Sequence, residues 1–156
     1  MYQYELVPVK ECWELVDKCL REEHWPELGH YKDIPIDMDW NRYFAIQDMG
    51  KLRCYIIKAP TNEEFKTFEL IGYAFYVVDN HLHYQQTKVA TQDILYIRKQ
   101  HRGFGRDFIN WCDMQLKAEN VVTVLHHIKP YFDWSDMIKK LGYEPAELIF
   151  SRRLDK

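Results

Sequence analysis

Hydrophobic and polar positions in the first half of the chain switch from a strand period to a helix period and back. Residues 2–9 mix β-forming side chains around Pro8, which predicts a first strand. Apolar residues then recur every three or four positions over residues 10–23, which predicts an amphipathic helix. Residues 39–48 predict a second, short helix, and residues 51–59 predict a strand.

The middle of the chain carries its longest apolar runs. Residues 68–79 are almost continuously apolar and aromatic, which is typical of a central strand, and Gly72 within them indicates a bulge or a close approach of another chain segment. Residues 60–66 precede this run as a polar turn. Residues 89–98 predict a further long strand.

The last third alternates between helix and strand. Residues 108–119 and 132–141 predict helices, and the second of them stops at Gly142. Residues 121–126 and 143–154 predict strands. The order is β, α, short α, β, β, β, loop, α, β, α, β. It predicts a mixed α/β fold in one domain over residues 1–156, with helices on both faces of a partly antiparallel sheet.

Composition narrows the class of protein. Hydrophobic residues make up 47% of the 156 positions, so the chain is globular, and its formal net charge of -3 argues against a general nucleic-acid binder. No signal-peptide pattern or run of transmembrane length occurs, so we expect a cytoplasmic protein with no membrane partner. The four cysteines form no CxxC pair and are interpreted as small buried thiols of a reducing compartment.

The segment over residues 96–109, YIRKQHRGFGRDFI, joins a strand to a helix through a basic, glycine-containing loop. Gly103 and Gly105 allow the backbone to approach a ligand closely, and the following helix adds the positive end of its dipole. Four basic residues crowd the loop: Arg98, Lys99, Arg102 and Arg106. The segment predicts a pyrophosphate site, although it has neither the third glycine of the dinucleotide fingerprint nor a Walker A Gly-Lys-Ser/Thr.

The hexapeptide from Gln100 to Gly105, QHRGFG, matches in full the coenzyme A signature Q/R-x-x-G-x-G/A of the GNAT acyltransferase superfamily. Leu141 to Tyr143, LGY, resembles the common L-G-F/Y of the same family. The resemblance extends over essentially the whole chain. ATQDILYIRKQHRG and LHHIKPYFDWSDMIKKLGYEPAELIFSRRL look most like GNAT proteins of tailed phages.

The resemblance implies the GNAT acyl-CoA N-acyltransferase fold, with a central mixed, mostly antiparallel sheet flanked by helices. It also implies acetyl-coenzyme A as cosubstrate, bound where the fourth and fifth strands separate. The implied cofactor-binding residues are Leu95, Tyr96, Ile97, Gln100, His101, Arg102, Gly103, Phe104, Gly105 and Arg106.

Amine attack on a thioester needs a neutral amine and therefore a general base. Asp93 is the first choice, because family members often carry an acid there; the alternative is an Asp held in a polar network. The usual general-acid Tyr is missing, since Ile138 occupies its position. Tyr131 and Ser135 are candidate substitutes, with a packed aromatic and a helix cap or surface hydroxyl as their alternatives.

The acidic and aromatic stretch over residues 22–40 falls where the family builds its acceptor wall. Trp25 and Tyr31 within it, and His83 before the fourth strand, are the predicted substrate-binding residues. An acidic wall would attract a cationic amine, whereas the alternative is a solvated loop packed on the sheet. The histidine and cysteine spacings match no zinc site, so no metal is expected.

The leading hypothesis is acetyl transfer from acetyl-coenzyme A to a primary amine, either a small molecule or a protein, by direct attack. One alternative is a GNAT-fold module that binds acyl-coenzyme A with little or no catalysis. Another is a phage accessory protein that acts by binding a host protein in the host cytoplasm. Either a monomer or a homodimer is compatible with the sequence.

Overall fold

The computed structural model describes residues 1–64 and 66–156, and its centre is a five-stranded sheet. The strands, in their order across the sheet, are β1 (Gln3–Val7), β2 (Leu52–Pro60), β3 (Phe68–Asn80), β4 (Lys88–Ile97) and β5 (Thr123–Leu125). Strands β1 to β4 are antiparallel to their neighbours, whereas β5 runs parallel to β4. The predicted mixed, mostly antiparallel sheet is confirmed.

Five α-helices surround the sheet in the described part of the chain. They are α1 (Val9–Cys19), α2 (Trp25–Leu28), α3 (Trp40–Asp48), α4 (Gly105–Ala118) and α5 (Ser135–Lys139). The first predicted helix ends later than residue 23, because a π-helical turn (Leu20–His24) continues it into α2. Pro26 lies at the start of α2, which directly follows the π-helical turn.

Helices cover both faces of the sheet, as predicted. Val16 and Leu20 belong to the buried core on one face, together with Trp40 of α3. Phe108 and Leu116 of α4 belong to the core on the other face. All four cysteines are buried and unpaired within these cores.

Gly72 makes the close approach that the sequence indicates. A Cβ at this position would lie 2.6 Å from the carbonyl oxygen of Tyr96 and 2.9 Å from Cγ2 of Ile57. The register of β2 and β3 also shifts here, so that Ile71 has no opposite residue. Glycine therefore lets β4 approach β3 closely just before the basic loop.

Three boundary predictions need correction, and one falls partly outside the described residues. The glycine loop is a 3-10 helix (Lys99–Phe104), α4 begins three residues early at Gly105, and α5 is shorter than predicted. The closing strand over residues 143–154 is wrong, because Leu148, Ile149 and Phe150 are 84%, 73% and 89% exposed and find no sheet to pack on. The turn predicted over residues 60–66 includes Phe65, which lies outside the described residues.

Candidate functional site

Strands β4 and β5 separate soon after they pair. Their ladder covers only Val89 with Thr123, Ala90 with Val124 and Thr91 with Leu125. Beyond Thr91, the edge of β4 that faces β5 has no partner strand among the described residues, so its backbone N–H and C=O groups can bind a ligand.

A cleft of about 740 Å³ opens at this separation. One wall is the end of β4 and the start of α4, and another is the chain after β5 from His126 to Pro130. Side chains from α2 and from the loop before α3 close the far end, among them Trp25 and Met38. A cleft of this size accommodates a small ligand.

Asp93 is the extra residue of a β-bulge in β4. Phe75 of β3 pairs with Ile94, and the adjacent Tyr76 pairs with Gln92, so Asp93 has no opposite residue. A bulge re-aims the side chain of its extra residue, and here Asp93 lines the cleft. The sequence places the acid on β4 but gives no sign of the bulge.

Tyr43 of α3 donates a hydrogen bond from its hydroxyl to Oδ2 of Asp93 over 2.5 Å. Asp93 as a whole residue is exposed, but partial burial of its carboxyl raises the pKa of this group. The Tyr43 hydrogen bond and the charge of His127 act in the opposite direction. A carboxylate with a raised pKa is suited to take a proton from an amine.

The 3-10 helix over Lys99–Phe104 and the preceding Arg98, together called the basic turn, adjoin one end of the cleft. Of the predicted cofactor-binding residues, those that line the cleft are Leu95, Tyr96, Ile97, Arg102 and Gly105. The others belong to the same 3-10 turn and the start of α4 but lie outside the lining; they are Gln100, His101, Gly103, Phe104 and Arg106.

Gly103 is not required by the local backbone or packing. A Cβ at this position would have no heavy atom within 4 Å, and its φ is not in the left-handed region. At Gly105, a Cβ would make ordinary contacts of 3.5 Å or more. The space above Gly103 is therefore free for the backbone to meet a phosphate, which fits the expected pyrophosphate of coenzyme A.

Two of the basic residues predicted near the phosphates are engaged within the protein. Arg102 forms two 2.8 Å contacts with the carboxylate of Glu27 and donates from Nε to the Ile97 carbonyl oxygen over 3.0 Å. Arg98 donates to Glu23 over 2.7 Å. Both arginines thus connect the basic turn to the π-helical turn and α2.

Neither predicted substitute for the general acid lines the cleft. The Tyr131 hydroxyl donates to the Leu28 carbonyl oxygen over 3.0 Å, and the side chain is 55% exposed. Ser135 is the first residue of α5, and its backbone N–H donates to Asp133 over 2.9 Å. Ile138, at the position of the family's usual acid, is buried.

The predicted acceptor residues are not brought together. Trp25 lines the cleft, whereas Tyr31 lies outside the lining, with the Arg153 guanidinium 5.2 Å from its ring centroid. His83 belongs to the turn between β3 and β4, where it contacts His81. Of the three predicted substrate-binding residues, only Trp25 lines the cleft.

The carboxylates of residues 22–40 do not face the cleft. Glu23 and Glu27 are paired with arginines of the basic turn. Asp33 is paired with Arg153, and Asp39 accepts the Arg42 backbone N–H as the cap of α3. The segment lines the cleft with histidine, aromatic and aliphatic side chains instead.

Several cleft residues were not predicted as site residues from the sequence, among them Tyr43, His24, His126 and Lys129. Tyr43 looked like a helix residue, and its role follows only from its contact with Asp93. His126 lies between Tyr76 and Gln92, and its Nδ1 is 2.8 Å from Gln92 Oε1. The course of the chain after β5 brings His126 to Gln92, and the packing of helices on the sheet brings Tyr43 to Asp93; no local pattern reveals either contact.

No protein-family model matches the chain, and no curated protein matches it by sequence. Solved structures do match. A predicted acetyltransferase with acetyl-CoA from Clostridium acetobutylicum is 17% identical, with a TM-score of 0.71 over 99% of this chain and 97% of that chain. The fold is that of the GNAT acetyltransferases.

Two further structures have the same GNAT fold. An aminoglycoside acetyltransferase from an uncultured soil metagenomic sample, in complex with sisomicin, is 12% identical, with a TM-score of 0.69 over 99% of this chain and 97% of that chain. The glucosamine-6-phosphate N-acetyltransferase of Arabidopsis thaliana is 12% identical, with a TM-score of 0.67 over 99% of each chain. Identities this low establish the fold, so the activity must be argued from the residues of the site.

Two kinds of feature are absent from residues 1–64 and 66–156. No helix among them is long and apolar enough to cross a membrane. No three of their histidine, cysteine, aspartate or glutamate side chains are grouped to hold a metal ion.

Proposed function

We propose that this protein transfers an acetyl group from acetyl-coenzyme A to a primary amine by direct attack. One observation carries the proposal: a carboxylate with a raised pKa, Asp93, lies on a bulge in the same cleft that adjoins the glycine-containing turn. The GNAT fold of acetyltransferases, one of them solved with acetyl-CoA, supports it.

In this proposal, the open edge of β4 and the turn around Gly103 hold acetyl-coenzyme A, which supplies an activated thioester. Asp93 accepts a proton from the amine, directly or through a water, so that the nitrogen lone pair can form the new C–N bond. The C–S bond then breaks, the leaving thiolate takes a proton from solvent, and the acetylated nitrogen releases its second proton to solvent, which leaves the neutral amide. No side chain that lines the cleft is required as a general acid.

The first experiment is calorimetric titration of the protein with acetyl-coenzyme A, beside the Gly103→Glu variant. We expect binding by the parent and its loss in the variant, because a carboxylate would occupy the space proposed for the pyrophosphate. Gly50→Glu is not a suitable control, because Gly50 has a φ of +73°. Lys117→Glu, on the exposed end of α4, introduces the same side chain away from the cleft.

The second candidate is a module that binds acetyl-coenzyme A without transfer. It is favoured by one observation, that the Tyr131 hydroxyl is engaged with the Leu28 carbonyl. An Asp93→Asn variant separates the two: loss of transfer to an amine panel with retained cofactor binding supports the enzyme. Binding by the parent with no transfer to any amine supports the module.

The finer predictions extend this proposal. We propose that residues 1–156 act as one domain and that the protein acts in the cytoplasm. A phage origin, a host-protein target and a homodimer stay predictions from the sequence, and no contact among the described residues favours one of them.

A further inference from the structure

Lys129 lines the cleft in the segment that follows β5. Its Nζ donates to the Leu28 carbonyl oxygen at the end of α2. It also lies 5.3 Å from the ring centroid of Trp25 and 5.9 Å from that of Tyr131. Within residues 1–64 and 66–156, no carboxylate oxygen lies within 4.0 Å of this ammonium group.

This contrasts with the other lysine or arginine that lines the cleft in the described part of the chain. Arg102 has both its Nη atoms on the carboxylate of Glu27. Lys129 has a single carbonyl oxygen and the faces of two aromatic rings, which compensate a charge only in part. Its pKa is lowered by burial, with a smaller contribution from Lys32, as expected for a cation that lacks an anion.

The charged side chains around the cleft do not favour an acceptor with several positive charges. The acidic residues between positions 22 and 40 are directed elsewhere, and of the acids that line the cleft, Asp93 is held by Tyr43 and Glu147 lies exposed at the rim. The wall near Lys129 is formed by Trp25 and Leu28, with the imidazole of His30 beside them. It presents one unpaired cation among apolar and aromatic surfaces.

We propose that the acceptor is a small amine that also carries an anionic group, a carboxylate or a phosphate, and that Lys129 binds this group. The proposal rests on the function proposed above, in which Asp93 of the same cleft accepts the proton of the amine. An anion on Lys129 completes a charge pair that the protein leaves open and orients the amine toward Asp93.

The test uses matched pairs of amines that differ in the anionic group. Phenylalanine is compared with phenethylamine for the carboxylate, and glucosamine 6-phosphate with glucosamine for the phosphate. Each is titrated calorimetrically into the protein saturated with coenzyme A. In at least one pair, we expect the anionic member to bind about tenfold or more tightly than its partner, as for a charged hydrogen bond in a partly buried site.

Three variants assign the preference to Lys129. Lys129→Met should bring the two members of the preferred pair to similar affinity, and Lys129→Arg should keep the anionic preference. Lys117→Met removes the same charge from the exposed end of α4 and should change neither affinity. Because Lys129 also holds α2, thermal unfolding of each variant is measured alongside.

The idea is overturned if neither anionic amine binds at millimolar concentration, or if the uncharged partners bind as well. It is also overturned if the preference survives Lys129→Met, or if that variant weakens acetyl-coenzyme A binding instead. Acetyl transfer is then measured on the same samples. Binding of the anionic amine without transfer contradicts the proposed enzyme and leaves the proposed anion site in place. Transfer to uncharged amines alone supports the enzyme and contradicts the anion site.

Discussion

Asp93, the extra residue of the bulge in β4, has the largest effect on the candidate site. Without the bulge, the residues that follow Gln92 would project to the opposite faces of the sheet. With it, Asp93 enters the cleft and meets the hydroxyl of Tyr43. Tyr43 is therefore a positioning residue for the proposed base.

Tyr43→Phe removes the hydrogen bond to Asp93 and keeps the aromatic ring. Because this bond lowers the pKa of Asp93, its loss should move the acidic limb of the pH profile of kcat/KM to higher pH. We also expect kcat to fall by about tenfold, since the carboxylate loses its orientation. A steady-state pH profile of parent and variant checks this.

The control is Phe44→Leu on the same helix, which alters packing without touching the carboxylate. Phe44→Leu should leave the acidic limb of the kcat/KM pH profile at the pH where the parent has it. If the acidic limb of Tyr43→Phe is not shifted either, the tyrosine packs beside Asp93 without changing its pKa.

At the scale of elements, the basic turn and α2 form a connected pair. Tyr96 of β4 donates to Glu27 over 2.9 Å, and the same carboxylate holds Arg102. Arg102 also lies over the rings of Tyr96 and Phe132, at 5.5 Å and 4.8 Å. The Arg102–Glu27 ion pair thus joins the basic turn to α2, beside the Arg98–Glu23 pair that joins it to the π-helical turn.

Arg102 and Arg106 should therefore respond differently to neutralisation. Arg102→Gln leaves Glu27 without its partner, and we expect the free energy of unfolding to fall by about 2 kcal/mol. Arg106 is exposed at the start of α4, so Arg106→Gln should weaken acetyl-coenzyme A binding severalfold with little change in stability. Urea denaturation and calorimetric titration of both variants measure the two effects. The reverse pattern would make Arg102 the phosphate ligand.

At the scale of the whole molecule, much of the fold could be predicted because its core strands carry long apolar runs. The order of the elements and the close approach at Gly72 were visible in the sequence. The closing strand was not a correct prediction, because Leu148 to Phe150 have strand-like composition but no surface to cover them. β-Strand propensity reflects how well a side chain fits a half-buried sheet surface, and only the tertiary structure supplies that surface.

The candidate site was harder to predict from the sequence than the fold, because part of it depends on contacts between distant residues. Asp93 and the turn around Gly103 stand in recognisable local patterns. Tyr43 and Lys129 contribute through contacts with residues 50 and 101 positions away along the chain, Asp93 and Leu28. Such contacts depend on where helices meet the sheet, and a single sequence carries no pattern for them.

Two histidines that line the cleft, the buried His24 and the half-buried His126, give the whole molecule a pH-dependent stability. His24 is 4% exposed, with Nδ1 2.7 Å from the Tyr73 hydroxyl, and burial, together with the charge of Lys129, lowers its pKa to about 3. Burial likewise lowers the pKa of His126 to about 4. Both side chains are therefore neutral in the folded protein at pH values where an unfolded chain would protonate them.

The sign of the effect follows from proton uptake. Above about pH 6.5 neither state protonates these rings, and below it the unfolded state binds protons that the folded state excludes, so the free energy of unfolding falls. Between pH 6.5 and 5.5, the two histidines together should remove about 2 kcal/mol. Burial raises the pKa of Asp93 and of Asp113, which acts with the opposite sign.

Urea denaturation at several pH values, on the parent and a His24→Gln/His126→Gln variant, isolates the histidine contribution. The variant keeps both carboxylates, so the difference between the two curves excludes their effect. At pH 7.5 the variant should be less stable than the parent, because the substitutions remove the native contacts of both rings. Its free energy of unfolding should vary less than that of the parent between pH 6.5 and 5.5. Parallel curves for the two proteins over that range would mean that both rings take up protons in the folded state. Tyr73 and Gln92, which hold those rings, would then be partners of imidazolium rather than of neutral imidazole.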